Sequence, residues 1–122
     1  MPRASRSNKP PSIGLDIVEI ARIKKACTPA FLKRVFSPSE IAYCKGKKSP
    51  WQHFAVRFAA KEAVYKALNL EGVALRDISV ARDADGRPSV VLRGKPVPSV
   101  ALSLTHSDHY AAAVAISTSP AR

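Results

Sequence analysis

Two carboxylates and a lysine lie inside segments that otherwise carry a regular pattern of apolar side chains, and Asp16 points away from the more apolar face of its strand. Asp16 lies inside the alternating segment IGLDIV, although aspartate is a poor strand former and is costly to bury unless it is paired or bound to a metal. Glu62 and Lys66 follow Phe54 and Phe58 at successive spacings of four residues, which puts all four on one helix face. Two carboxylates without Cys or His at zinc spacing suit a hard cation, Mg²⁺ above all, and a nearby lysine suits phosphoryl-type chemistry.

Each of these features also has a purely structural explanation. Glu62 and Lys66 could form a surface ion pair worth roughly 0.3–0.5 kcal/mol, and Asp16 could face water from an edge strand. The functional alternative is that Glu62 lies where an apolar face ends and a cleft opens, a position suited to holding a cation or moving a proton. A further polar group, His106 and Asp108, lies at the predicted tip of a β-hairpin.

Composition limits the class of protein. The 122 residues predict one domain, and 20 Lys+Arg against 9 Asp+Glu give a net charge of +11. This charge favours an anionic partner, which could be nucleic acid, a phosphate-bearing small molecule, an acidic protein or an anionic membrane surface. Cys27 and Cys44 have neither zinc nor redox spacing, and no P-loop or GxGxxG motif is present. Without an apolar run of about 20 residues or a secretory signal, we expect a cytoplasmic location and no membrane.

The elements that position these residues fall into two halves. Ser49 as N-cap and Pro50 at the first position predict a long helix that runs to Leu68 without Gly or Pro. Basic helical segments precede it, and two hairpins follow it, the first turning at Asp85-Gly86. We therefore predict an α+β fold with an antiparallel sheet packed on a long central helix. Residues 1–12 are basic and predict a flexible tail, which leaves residues 13–122 as a single domain.

Four segments together resemble holo-acyl carrier protein synthase, the small bacterial 4′-phosphopantetheinyl transferase family. They are IGLDIVEIARI, the RVFSPSEIAYC run, RFAAKEAVYKAL and SLTHSDHYAAAVAI, in the order of the family, and the similarity covers nearly everything from Ile13 to Ile116. The resemblance implies transfer of the 4′-phosphopantetheine arm from coenzyme A to a serine of apo acyl carrier protein, with Mg²⁺. It does not distinguish a carrier of fatty acid synthesis from one of polyketide synthesis.

The resemblance also implies roles for individual residues. Asp16 and Glu62 match the metal-binding carboxylates of the family, and Lys66 matches its lysine near the reacting phosphate. The family's coenzyme A contacts match Arg57, Lys61 and His106, and the basic surface that meets the acidic carrier protein matches Arg22, Lys25 and Arg34. We expect Glu62 to accept the serine proton, directly or through a water, with Asp108 as the alternative acceptor. The resemblance further implies a homotrimer with a site at each subunit interface.

Two departures and one competing function remain. Ser12 stands where the family usually has a second glycine, and the basic segment before it is longer than usual. The competing function is a basic RNA-binding module, since positive charge attracts any phosphate. We expect no nucleic-acid partner, because Tyr43 and Trp51 are not interleaved with basic residues on strands and form no stacking platform.

Overall fold

The computed structural model describes residues 10–118, in which four α-helices, a short 3-10 helix and six strands form the predicted α+β fold. In chain order these are β1 (Ser12–Glu19), α1 (Ile20–Ala26), α2 (Pro29–Val35), α3 (Pro38–Lys45), α4 (Pro50–Leu68), the 3-10 helix (Leu75–Asp77), β2 (Ile78–Arg82), β3 (Pro88–Leu92), β4 (Lys95–Pro96), β5 (Val100–His106) and β6 (Tyr110–Ser117). Residues 1–9 of the predicted tail and residues 119–122 lie outside the described residues. No helix of the described part is both long and apolar enough to cross a bilayer.

Helix α4 is the predicted central helix. Pro50 starts it, and it ends where Asn69 adopts the left-handed conformation with φ of 51°, as helix C-termini commonly do. Ser49 is the N-cap residue, but its side chain accepts no hydrogen bond, so the predicted side-chain cap is absent. Its ψ of 75° differs from the 159° of Ser37, whose hydroxyl does cap α3 in a capping box with Glu40.

Two antiparallel sheets, rather than one, surround α4. The first has the strand order β1-β6-β5 and the second β2-β3-β4. Small residues let the first sheet approach α4 closely, because Ala113 and Ala115 of β6 are buried in one cluster with Ala59 and Ala63 of the helix. Both predicted hairpins, β2-β3 and β5-β6, are confirmed.

Gly14 sets the distance between β1 and α4. A Cβ atom on this residue would lie 1.8 Å from the carbonyl oxygen of Ala63 and 2.8 Å from the backbone nitrogen of Ala67. Only glycine permits this backbone contact. Because Asp16 lies two residues further along the same strand face, the contact at Gly14 also holds Asp16 against the helix.

The strongly apolar face of β1 is the exposed one. Ile13, Leu15 and Ile17 are 61%, 63% and 66% exposed, whereas Gly14 is buried and Asp16 is half-buried. Asp16 does point away from the apolar face, as the alternation predicts. The core of this chain nevertheless lies on the Asp16 side, because α4 packs there and leaves the apolar side of the strand uncovered.

Candidate active site

The face of α4 that carries Phe54, Phe58, Glu62 and Lys66 passes from the core to solvent within four turns. We call its aromatic part the apolar stripe of α4. Phe54 is fully buried, Phe58 and Glu62 are half-buried, and Lys66 is 50% exposed. Glu62 therefore lies where the apolar stripe ends. The end of the apolar face at Glu62 agrees with one part of the functional interpretation, and the cleft beside it stays a prediction.

Lys66 pairs with β1 rather than with Glu62. Its Nζ donates a hydrogen bond to the carbonyl oxygen of Leu15 at 2.9 Å and lies 3.4 Å from Oδ1 of Asp16. No ion pair between Glu62 and Lys66 forms in the described part of the chain, so the i,i+4 surface-pair interpretation is wrong. The contact joins β1 to α4 at the point where the two carboxylates approach each other.

Asp16 keeps one carboxylate oxygen without a partner. Its Oδ2 is buried and, among residues 10–118, receives no hydrogen bond. A buried acceptor of this kind costs about 1–3 kcal/mol unless something else satisfies it. A cation held between Asp16 and Glu62 would do so.

The electrostatics of Glu62 point in the same direction. Burial raises the pKa of the Glu62 carboxyl above its usual range, the negative charge of Asp16 raises it further, and Lys66 lowers it. Two carboxylates that disfavour each other's charge are suited to a shared cation. No cluster of three or more His, Cys, Asp or Glu side chains occurs in the described residues, and Mg²⁺ commonly uses only one or two protein carboxylates.

Arg57 lines a separate cavity of about 280 Å³ on a different side of α4 from Glu62. We call it the Arg57 cavity; its lining residues come from α3, α4 and β2 and are Ser39, Glu40, Tyr43, Arg57, Val80, Ala81 and Arg82. Arg57 is 8% exposed and stacks on the Tyr43 ring, with 4.3 Å between the guanidinium carbon and the ring centroid. It forms no ion pair with any of residues 10–118, so the cavity carries uncompensated positive charge suited to an anion.

Lys61, which the resemblance matches to a coenzyme A contact, lies inside the fold. Lys61 has no exposed surface, and its Nζ donates to Oε1 of Glu40 at 2.7 Å, to the carbonyl oxygen of Leu75 at 3.1 Å and to that of Ile78. All three of its donors are therefore used inside the fold. Burial lowers the pKa of Lys61, and the Glu40 carboxylate partly offsets this.

Glu40 is the residue that sequence reasoning missed. Its Oε1 accepts the backbone N–H of Ser37 at 2.9 Å as part of the capping box that starts α3. The same carboxylate also accepts Lys61 and, at 3.4 Å, the backbone N–H of Val80. These two partners lie 21 and 40 residues away, and no local pattern predicts them.

The hairpin tip makes no direct polar contact with the carboxylates within residues 10–118. His106 and Asp108 are exposed, and no hydrogen bond or ion pair in residues 10–118 joins either of them to Asp16 or Glu62. Asp108 instead lines a cavity of about 470 Å³ beside α1 and the start of α4. The pKa of His53 is lowered mainly by burial and then by the charges of Arg57 and Lys47. His106 is close enough to His53 to make a smaller contribution of the same sign.

The predicted docking residues are basic and exposed. Arg22 and Lys25 on α1 and Arg34 on α2 are all exposed, and the structure gives none of them an ion pair within residues 10–118. The apolar side of α1 packs inward through Ile23. The basic side is therefore available to an acidic partner.

Comparison with known proteins identifies the family. Residues 12–115 match the model of the 4′-phosphopantetheinyl transferase superfamily. The chain belongs to this superfamily. The matched range includes every residue of the carboxylate pair, the Arg57 cavity and the basic surface described above.

Similar transferases come from several bacteria. A holo-[acyl-carrier-protein] synthase of Moorella thermoacetica is 42% identical over 115 residues, covering 84% of this chain and 90% of the relative. The crystal structure of the Helicobacter pylori synthase in complex with coenzyme A is 32% identical, has a TM-score of 0.72 and covers 87% of this chain and 99% of its own. The Neisseria meningitidis synthase is 30% identical with a TM-score of 0.75, covering 88% of this chain and 98% of its own.

Proposed function

We propose that the chain transfers the 4′-phosphopantetheine group of coenzyme A to a serine hydroxyl of an apo acyl carrier protein, releasing 3′,5′-ADP. The relatives at about 40% identity carry the name of this synthase, and the Helicobacter pylori relative binds coenzyme A. Within the chain, the observation that carries the proposal is the buried, unpartnered Oδ2 of Asp16 next to a carboxyl with a raised pKa. That pair is suited to an oxygen-coordinated cation.

Asp16 and Glu62 would hold Mg²⁺, which when bound neutralises negative charge on the pyrophosphate and on the leaving phosphate. Lys66 adds a second positive charge one turn beyond Glu62, and its hydrogen bond to the Leu15 carbonyl fixes the ammonium at the strand edge. A fixed cation stabilises developing charge without reorganisation during the reaction.

The serine proton needs an acceptor, and Glu62 is the proposed one, directly or through a water. Glu62 is only half-buried, which leaves its carboxylate accessible to a substrate hydroxyl. Asp108 is the alternative acceptor, although it lies at the exposed hairpin tip and lines a different cavity.

Coenzyme A carries phosphates that match the uncompensated charge of the Arg57 cavity. Arg57 would receive such a phosphate, with Arg82 beside it, and His106 would contribute from the end of β5. Arg22, Lys25 and Arg34 would meet an acidic carrier protein, since complementary charge raises association rates.

A homotrimer is proposed together with this activity. The exposed Ile13, Leu15 and Ile17 form a continuous apolar stripe on β1, and exposed patches of this kind mark interfaces. A cytoplasmic location fits the two thiols, because Cys27 and Cys44 are both free and reducing compartments keep thiols free.

Intact mass spectrometry tests the activity most directly. Apo acyl carrier protein is incubated with the chain, coenzyme A and Mg²⁺, with and without a chelator, and a gain of one phosphopantetheine is expected only without the chelator. Asp16→Asn should abolish the gain, whereas Arg93→Gln, which removes an exposed ion pair with Asp77, should not. No gain with several carriers would contradict the proposal, and salt-sensitive RNA binding that survives Asp16→Asn would favour the binding module instead.

A further inference from the structure

The buried pair of Glu40 and Lys61 holds together three elements that wall the Arg57 cavity. Glu40 belongs to α3, Lys61 to α4, and the pair reaches β2 through the carbonyl oxygen of Ile78 and the N–H of Val80. The same three elements supply the cavity lining, including Glu40 itself. Removing the pair would therefore change a binding surface and not only the core.

The charges of the pair also matter to the cavity. Arg57 and Lys61 are one helical turn apart, so they lie on the same side of α4. Glu40 faces both the cavity and Lys61, and Lys61 neutralises it with a contact of 2.7 Å. With Glu40 neutralised, Arg57 and Arg82 remain as the net positive charge of the cavity.

We propose that Glu40 and Lys61 are positioning residues that keep Arg57 free to bind a phosphate of the substrate, and that Lys61 itself touches no ligand. The inference rests on the proposed function. Lys61 occupies Glu40 and so prevents that carboxylate from pairing with Arg57. Without Lys61, a buried and uncompensated carboxylate would take Arg57 as its partner, because leaving it unpaired is costly.

Charge neutralisation makes a specific prediction for single and double variants. Lys61→Met should weaken binding of 3′,5′-ADP about tenfold or more, because Glu40 then competes for Arg57. Glu40→Gln should bind 3′,5′-ADP as well as the wild-type chain or better, because no carboxylate is left to pair with Arg57, although its melting temperature should fall because Lys61 loses its partner. The double variant Glu40→Gln/Lys61→Met should return to within about threefold of wild type, since the competing charge is gone.

Calorimetric titration measures the affinity of each variant for 3′,5′-ADP without turnover. Steady-state kinetics then separate effects on KM for coenzyme A from effects on kcat. The expected kinetic result for Lys61→Met is a raised KM with kcat little changed. Val100→Ala, which truncates a buried residue that does not line the Arg57 cavity, controls for loss of stability. It should lower the melting temperature without changing the affinity for 3′,5′-ADP.

Adding Lys61→Met to the Glu40→Gln background decides between positioning and direct contact even if the single Lys61 variant does not fold. An equal loss of affinity in both backgrounds, or a large loss in the Glu40→Gln background alone, would mean that Lys61 binds the ligand and would overturn the inference. Unchanged affinity in a folded Lys61→Met would overturn it as well. A wild-type chain that binds neither coenzyme A nor 3′,5′-ADP would instead refute the proposed function.

Discussion

Gly14→Ala should separate Asp16 and Glu62, the two carboxylates proposed to bind Mg²⁺, without altering either of them. The added Cβ would lie 1.8 Å from the Ala63 carbonyl oxygen, and a distance below 3.0 Å is not tolerated against backbone, so β1 and α4 must move apart by about 1.2 Å. Asp16 moves with β1, and Glu62 precedes Ala63 on α4. The gap between their carboxylates should therefore open by a similar distance.

A displacement of this size is large for magnesium chemistry. Mg²⁺ requires near-ideal octahedral geometry at roughly 2.0–2.1 Å, and a misplacement of about 1 Å can cost around 100-fold in rate. We expect Gly14→Ala to raise the Mg²⁺ concentration needed for half-maximal activity and to lower kcat about 100-fold. Overpacking should also reduce the free energy of unfolding by roughly 1–3 kcal/mol.

The assay is turnover measured by intact mass across a Mg²⁺ titration, with thermal unfolding in parallel. Gly46→Ala is the matched control, because its Cβ would meet only Ala42 and Tyr43 carbonyl oxygens at 3.5 Å and 3.6 Å, which is ordinary contact. A folded Gly14→Ala with wild-type kcat and wild-type Mg²⁺ dependence would refute the proposal that the close approach at Gly14 positions the metal site.

Three further variants test the remaining roles. Glu62→Gln should lower kcat by orders of magnitude, and near-wild-type turnover would remove Glu62 from the mechanism. The same variant should raise the melting temperature at neutral pH without Mg²⁺. The fold raises the pKa of Glu62, so the carboxylate charge opposes folding above that pKa and has no such effect below the pKa of the unfolded chain. Arg22→Glu should raise KM for the carrier protein while leaving KM for coenzyme A unchanged, and an unchanged carrier KM would take Arg22 off the docking surface. Leu15→Asp should shift the mass measured by light scattering to that of a monomer, because it places a charge in the exposed apolar stripe of β1; a wild-type chain that is already monomeric would contradict the proposed homotrimer.

Local pattern was sufficient for most of the fold. The uninterrupted run from Pro50 to Leu68 predicts α4, and the Asp85-Gly86 turn predicts the β2-β3 hairpin; both are confirmed. Local sequence pattern was not sufficient where a feature depends on contacts between elements that are distant in the sequence. Alternation in β1 separates Ile13 and Leu15 from Asp16 correctly, but it cannot tell which face α4 covers, and the less apolar face is the buried one.

The site shows the same limit between adjacent residues. Lys61 and Glu62 are neighbours in one motif, yet successive helix positions point about 100° apart, so Lys61 enters the core while Glu62 reaches the end of the apolar stripe. The sequence motif contains both residues, but it does not show which of them contacts the ligand and which one only positions a residue that does. The buried carboxylate of Glu40, which lies 21 residues away from Lys61 in the chain, makes this distinction. Lys61 uses all three of its donors inside the fold and has none left for a phosphate. Arg57 lies one turn earlier, forms no ion pair in residues 10–118, and therefore still has donors for a phosphate.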